Sequence, residues 1–155
     1  MNILKITLLD SETQTDPKRI SLSINSKLLL IGKIDLRSLK QWFLENENAI
    51  RDDTFPIRKY TDCSLAESAY HFYEDIDADN DDAIDAVYNY RESHCLRFAC
   101  RGTDFPDIYI GKNGTMHEIS LYSSDEKWRY FFDVDDFSVN LHNYIPGHSP
   151  VFFRL

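Results

Sequence analysis

Residues 107–122 read DIYIGKNGTMHEISLY, and this stretch carries the clearest structural signal in the chain. Apolar side chains alternate with polar ones on both sides of Asn113-Gly114, a dipeptide typical of type I′ turns, so the stretch predicts a β-hairpin. Pairing across that turn places Ile110 opposite His117. The predicted hairpin has one apolar face, which consists of Ile108, Ile110, Ile119 and Leu121.

Further strands are predicted on both sides of this hairpin. Before it, residues 2–9 and 19–25 show apolar alternation, residues 28–32 form a short buried segment, and residues 95–102 read as a strand. After it, residues 127–134 (KWRYFFDV) carry bulky side chains on both faces, which is typical of a central or well-covered strand.

Four helices are predicted from capping residues and apolar periodicity. Their predicted N-terminal signals are Asp35, the capping-box pair Ser64 and Glu67, Asn80 or Asp81, and Asp133 or Asp135. The first helix is expected to run to about residue 47. The predicted elements run from strands to helices and then to a β-meander with a helix. This order predicts an α+β fold, with helices packed on a mainly antiparallel sheet. The whole chain, residues 1–155, is expected to be one globular domain, with the apolar tail docked on it.

The composition is that of a globular protein. Of 155 residues, 43% are hydrophobic and 14% aromatic, which is enough for an ordinary core. The apolar run in the first ten residues is far shorter than the roughly 20 residues of a membrane span, and it lacks signal-peptide features. Three cysteines, Cys63, Cys95 and Cys100, give no disulfide framework. We therefore expect a cytoplasmic protein.

Metal ligation by the cysteines is not predicted. Side chains alternate along a strand, so Cys95 and Cys100 of the predicted strand point to opposite faces and cannot share one zinc ion. No cofactor or metal is expected from the sequence.

The negative charge is concentrated in one fifth of the chain. The formal net charge is −9, from 26 acidic residues and 17 Lys and Arg. Residues 60–90 hold nine of the acids and no Lys or Arg, so the rest of the chain carries 17 of each sign. Within this window, residues 74–85 read EDIDADNDDAID. Such a segment suits a basic partner and disfavours nucleic acid, which needs the opposite sign.

Calcium binding by this run is not favoured. Asp77, Asp79 and Asp81 fit loop positions one, three and five of an EF-hand. However, Asp82 stands where the loop needs Gly, and Tyr88 stands where a bidentate Glu should close the site. Calorimetry with millimolar calcium is expected to show no binding heat.

Helix capping explains half of the acidic run. Asp79, Asp81 and Asp82 lie at the predicted start of a helix, where its dipole favours negative charge. Glu74, Asp75 and Asp77 lie at the end of the preceding helix, where negative charge is unfavourable. Two explanations of these three acids stay open: a surface kept for a basic partner, which is the preferred one, and an idle solvated helix junction. The predicted contact residues are Glu74, Asp75, Asp77, Asp79, Asp81, Asp82 and Asp85, with Tyr70, Tyr73, Tyr88 and Tyr90 as anchors.

Catalytic motifs are missing from the sequence. It contains no H-E-x-x-H or G-x-S-x-G, and GKNG at residues 111–114 is a hairpin turn, not a phosphate loop. The five histidines are scattered, and an acid–base pair such as His142 with Asp136 stays open. No catalytic residue is predicted.

A small, acidic, aromatic-containing α+β chain of this kind resembles the immunity proteins of bacterial polymorphic toxin systems, including contact-dependent growth inhibition. The resemblance lies in general character over the whole chain. It implies a cytoplasmic protein that binds and neutralises a cognate toxin domain, often a nuclease, and that is not itself an enzyme. Two alternatives remain open: a small enzyme or ligand-binding domain with an acidic and aromatic pocket, and a nucleic-acid mimic that inhibits a DNA-binding enzyme.

Overall fold

The computed structural model describes residues 2–11, 13, 15–57, 62–75 and 79–144. Its elements in chain order are β1 (Leu4–Leu8), β2 (Lys18–Ile24), β3 (Lys27–Ile34), α1 (Leu36–Asp52), α2 (Leu65–Glu74), α3 (Asp81–His94), a 3₁₀ helix (Leu96–Phe98), β4 (Tyr109–Asn113), β5 (Met116–Tyr122), β6 (Lys127–Phe131) and α4 (Val134–His142). The predicted α+β class is confirmed. The strands form two three-stranded antiparallel sheets, β1-β2-β3 and β4-β5-β6, against which the four helices pack. The predicted tail, beyond residue 144, lies outside the described residues.

The β4–β5 hairpin forms, but its predicted register is wrong by two residues. Ile110 pairs with Ile119, not with His117, and Asn113 pairs with Met116. The turn residues are therefore Gly114 and Thr115. Gly114 has a positive φ of 66° and Thr115 does not, and a positive φ at the first turn residue alone is typical of a type II′ turn. A shift of two residues keeps every side chain on its face, so Ile108, Ile110, Ile119 and Leu121 are all buried as predicted.

A side chain of the core explains this shift. The Asn113 amide is buried and donates to the carbonyl of Cys63 (3.1 Å) and to Glu118 Oε1 (2.9 Å). It therefore stays in the strand rather than turning. The geometry of a type I′ turn occurs instead between β2 and β3, where Asn25 and Ser26 both have positive φ, 48° and 70°.

Two strand predictions are wrong about burial. β3 is longer than the predicted short segment, and all its residues except Ile34 are exposed or half-buried; Leu28 and Ile31 are 55% and 56% exposed. β6 lies at an edge of its sheet instead of the centre, and its side chains are exposed or half-buried. In both cases, apolar residues that were expected in the core lie on an edge strand, which pairs with only one other strand.

Residues 95–102 do not form the predicted strand. Cys95 caps the end of α3, residues 96–98 form the 3₁₀ helix, and a turn follows. The alternation argument for the two cysteines therefore does not hold. Cys95 and Cys100 are free and buried, and they belong to different hydrophobic clusters.

The helix starts are predicted well. Asp35, Ser64, Asn80 and Asp133 each accept backbone N–H groups of the first turn that follows. α1 runs five residues beyond the predicted end, and it buries Trp42 while Leu44 is exposed. Within the described residues, no helix has both the length and the apolar character needed to cross a membrane.

The buried apolar side chains form two clusters. The larger one joins both sheets to α1 and α4. The smaller one lies under α2 and α3 and consists of Phe55, Leu65, Ala66, Ala69, Val87, Tyr90, Cys95 and Tyr109. The predicted acidic contact region is built on this smaller cluster.

Candidate functional site

The acidic run lies at the junction of α2 and α3. Glu74 is the last residue of α2 and Asp75 its C-cap, while Asp81 and Asp82 occupy the first turn of α3. We call the described carboxylates of this run the acidic surface; they are Glu74, Asp75, Asp79, Asp81, Asp82 and Asp85, and all six are exposed. The predicted contact Asp77 lies outside the described residues.

Three arginines that follow the acidic run in the chain pair with carboxylates outside the acidic surface. Arg91 and Arg97 approach Asp107, at 3.8 and 3.4 Å, and the Arg129 Nε lies 2.9 Å from Glu118 Oε1. By contrast, Glu74, Asp81, Asp82 and Asp85 form no ion pair with Lys or Arg in the described part of the chain. The negative charge of these four acids is thus left for solvent or for a partner.

Helix α2 is held in place by side chains of β5. Glu118, which is fully buried, accepts the Leu65 N–H at 2.6 Å, and Ser120 Oγ accepts the Ala66 N–H at 3.1 Å. The Ser64 hydroxyl accepts the Glu67 N–H at 3.0 Å, as the capping-box pattern predicts. The first-turn donors of α2 are therefore satisfied by the sheet and the cap together. This fixes the direction in which α2 carries Glu74 to the surface.

Three of the four predicted anchor tyrosines are accessible. Tyr70 and Tyr88 are 39% and 46% exposed, and Tyr73 is half-buried. Tyr90 contradicts its predicted contact role, since it is 5% exposed and its ring stacks on His94 with 3.7 Å between centroids. The helical periodicity of α3 turns Tyr90 towards the core together with Val87, whereas Tyr88 points outward.

A cleft of about 470 Å³ opens between α2, α3 and the second sheet. We call it the tyrosine cleft, because Tyr70, Tyr73, Tyr109 and Tyr122 line it together with Glu74, Arg91 and Asp107. The Tyr70 and Tyr122 rings lie 5.0 Å apart, and the Arg91 guanidinium lies 5.3 Å from the Tyr73 ring centroid. Tyr109 and Tyr122 were not predicted as site residues, since nothing in the sequence indicates that β4 and β5 face this side of α2.

The surroundings of Tyr70, Arg91 and Tyr109 in the tyrosine cleft shift the pKa values of these three side chains. Burial raises the pKa of Tyr109, and the hydrogen bond to Glu74 raises the pKa of Tyr70, so both hydroxyls are protonated at neutral pH, and Tyr70 donates its hydrogen to the Glu74 carboxylate. Burial acts to lower the pKa of Arg91, but its interactions with Tyr109, Tyr73 and Asp107 outweigh this and raise it. The cleft therefore combines tyrosine hydroxyls and aromatic faces with one cation and two carboxylates.

Four side chains of types that serve nucleophilic or acid–base catalysis, His142, Ser138, Cys95 and Cys100, are hydrogen-bonded or buried. His142 Nε2 lies 2.7 Å from Glu47 Oε1, so its partner is Glu47 and not Asp136. The Ser138 hydroxyl donates to Glu47 at 2.6 Å rather than to His142, which is not the Ser–His–acid order of a hydrolase. Burial raises the pKa of the Cys95 and Cys100 thiols to about 12, which keeps both protonated.

Among the described residues, no group of three or more His, Cys, Asp or Glu is arranged to hold a metal ion. No protein-family model matches the chain, and no curated protein and no solved structure matches it.

Proposed function

We propose that this protein is a cytoplasmic bacterial immunity protein that binds a cognate toxin domain, a nuclease, and neutralises it through the acidic surface. The observation that supports the proposal most is the state of Glu74, Asp81, Asp82 and Asp85. They are exposed and have no basic partner in the described part of the chain, while Arg91, Arg97 and Arg129 pair elsewhere.

The physics of nuclease inhibition suits this surface. A nuclease binds polyanions and presents a basic cleft, which a dense carboxylate surface occupies in place of substrate. Steering by opposite charges raises association rates by roughly 10- to 1,000-fold, which matters when a toxin enters a cell that it soon damages. Tight binding also needs desolvated anchors, and Tyr70, Tyr73 and Tyr88 lie beside the acids.

The experiment is co-expression with the product of the adjacent gene. A stable complex that suppresses the nuclease activity of that product is the expected result. A product that degrades nucleic acid at the same rate with and without this protein overturns the proposal.

The tyrosine cleft favours a second candidate function, which is the binding of a small ligand. Its volume of about 470 Å³ and its convergent tyrosines, Arg91 and Asp107 are typical of a pocket for a small ligand. A ligand screen by thermal shift separates the two functions. A compound that stabilises the wild type but not a Tyr109→Phe variant supports ligand binding through this cleft.

A further inference from the structure

A second and larger cleft, of about 600 Å³, opens on another side of the molecule. It lies between α1, the end of α3 and the turn after the 3₁₀ helix, and we call it the α1–α3 cleft. Trp42 and Phe98 supply its aromatic surface, and Trp42 is fixed against α3 because its Nε1 donates to the Glu92 carbonyl at 2.9 Å.

The charges lining the α1–α3 cleft are mainly negative. Its carboxylates are Asp16, Asp35, Glu45 and Glu92, and its one basic side chain is Arg101. Asp16 is paired with Lys18 at 3.3 Å. In the described ranges, Asp35, Glu45 and Glu92 have no Lys or Arg partner, since Asp35 accepts backbone N–H groups of α1 and Glu45 accepts the Gln41 amide. Three unpaired acids against one base leave the cleft electronegative.

An exposed line of side chains on α3 connects this cleft to the acidic surface. Asp81, Asp85, Tyr88 and Glu92 are separated by four, three and four residues, so they lie on one face of the helix, and all are exposed. The line begins in the acidic surface and ends at Glu92 on the rim of the cleft. At 1.5 Å per residue, its ends are about 16 Å apart.

We propose that the α1–α3 cleft receives a Lys or Arg side chain of the same protein partner that binds the acidic surface. The inference rests on the proposed function and adds to it a second contact region and its chemistry. Glu45 and Glu92 hold the cationic head, and Trp42 and Phe98 cover its aliphatic stem. The Phe98 ring packs against two guanidinium groups of this chain, those of Arg101 and Arg91, which lie 5.3 and 5.6 Å from its centroid. A partner that fits both regions presents a second basic group about 16 Å from the first.

The first test is a titration of the full chain with acetylated tetra-arginine amide, followed by the N–H signals in ¹⁵N-correlated NMR spectra. The chain has two Trp, and a Trp128→Phe variant identifies the Trp42 indole signal. The expected result is a saturable shift of the Trp42 indole and of the Ser38 and Thr103 amides. The neutral tetra-citrulline peptide is expected to cause no such shift.

Charge-neutral variants locate the binding. Glu45→Gln with Glu92→Gln is expected to weaken the cleft signals by about three- to tenfold in dissociation constant. Asp81→Asn with Asp82→Asn, the matched control, is expected to leave the Trp42 response within about twofold. An unmoved Trp42 indole, or equal weakening by both pairs, overturns the assignment of the cleft.

The second test uses the complex with the adjacent gene product. If the wild type binds and suppresses the nuclease and the Glu45→Gln/Glu92→Gln variant binds it about three- to tenfold more weakly, both proposals are supported. If the variant binds as tightly as the wild type, the cleft proposal fails while the proposed function stands. If the wild type does not bind the product, the proposed function fails and the cleft proposal, which assigns the basic group to that partner, fails with it.

Discussion

At the scale of single residues, Glu118 is the side chain on which the candidate site depends most. Replacing Glu118 by Ala removes the acceptor of the Leu65 N–H, the Asn113 amide and the Arg129 guanidinium. Buried donors left without partners are costly, so we expect a loss of about 2–4 kcal/mol in the free energy of unfolding. Urea denaturation measures it.

The control for this variant is Glu126→Ala, which changes an exposed side chain immediately before β6. It is expected to alter the free energy of unfolding by less than about 0.5 kcal/mol. Equal effects of the two variants would show that Glu118 does not anchor α2.

Gly111 is a second residue whose identity is set by its neighbours. A Cβ at this position would lie 2.7 Å from His94 Cδ2 and 3.2 Å from the Tyr90 hydroxyl. His94 is fully buried and stacked on Tyr90, so it has little room to move. Gly111→Ala is expected to lower the free energy of unfolding by about 1–3 kcal/mol. Thermal melts measure the effect, and the control is Lys112→Ala at the adjacent half-buried position. If the melting temperature of Gly111→Ala equals that of the wild type, the packing argument is contradicted.

Residues that act locally could be predicted from the sequence, and residues that act at long range could not. Ser64 and Asp133 cap helices through bonds to N–H groups three residues away, so their role is visible in a short window. Glu118 reaches a helix 53 residues earlier, and in the sequence it reads as an ordinary polar position of a strand. Tyr90 was misassigned because a tyrosine near charged residues reads equally well as a surface anchor or as core.

At the scale of elements, Glu47 joins α1 to α4. It accepts hydrogen bonds from Ser138 and His142 of α4 and from Arg51 of its own helix, at 2.6, 2.7 and 2.9 Å. Burial acts to raise the pKa of Glu47, but these bonds outweigh it and lower the pKa from 4.5 to about 2. The carboxylate therefore stabilises the fold above about pH 4.5, and this contribution disappears as the pH falls towards 2.

The prediction concerns the difference between the wild type and Glu47→Gln. Above pH 5 the wild type is expected to be more stable by about 2–3 kcal/mol, and the difference is expected to shrink towards zero as the pH falls to about 2. Urea denaturation at a series of pH values tests it. A difference that stays constant between pH 6 and pH 2.5 would mean that ionisation of Glu47 does not stabilise the α1–α4 contact.

Element type was easier to predict than element neighbours. The starts of the four helices follow from local caps, and the hairpin follows from alternation. Burial of β3 and β6 could not be predicted, because an apolar strand reads the same at the edge of a sheet as at its centre. The 3₁₀ helix at residues 96–98 was missed since Leu96, Phe98 and Cys100 alternate as strand residues do.

At the scale of the whole molecule, the uneven charge is expected to control association with the partner. Asp81→Lys with Asp82→Lys reverses two charges of the acidic surface, and we expect the association rate with the toxin domain to fall by at least about tenfold at low salt. The slope of the rate against salt concentration is expected to become shallower. Stopped-flow fluorescence measures both quantities.

The matched control for that pair is Asp52→Lys with Asp53→Lys. It changes the net charge equally at two exposed positions at the end of α1. A control that slows association as much as the test pair would show that net charge, rather than the acidic surface, steers the encounter.

The sequence predicts where the charge lies along the chain but not what surrounds it in space. The acids of residues 74–85 and the absence of bases from 60–90 are plain in the sequence. That Arg129 pairs with Glu118 rather than with the acidic surface depends on sheet topology. The tyrosine cleft and the α1–α3 cleft depend likewise on elements distant in sequence, so neither could be predicted.

The division of the interior into two hydrophobic clusters has a consequence for motion. α2 and α3 rest on the smaller cluster, whereas the β1-β2-β3 sheet, α1 and α4 belong to the larger one. Amide protons of α2 and α3 are therefore expected to exchange with deuterated solvent through a partial opening of lower free energy than complete unfolding. A bound toxin domain would slow that exchange selectively, whereas uniform rates across all helices would show that the chain opens as one unit.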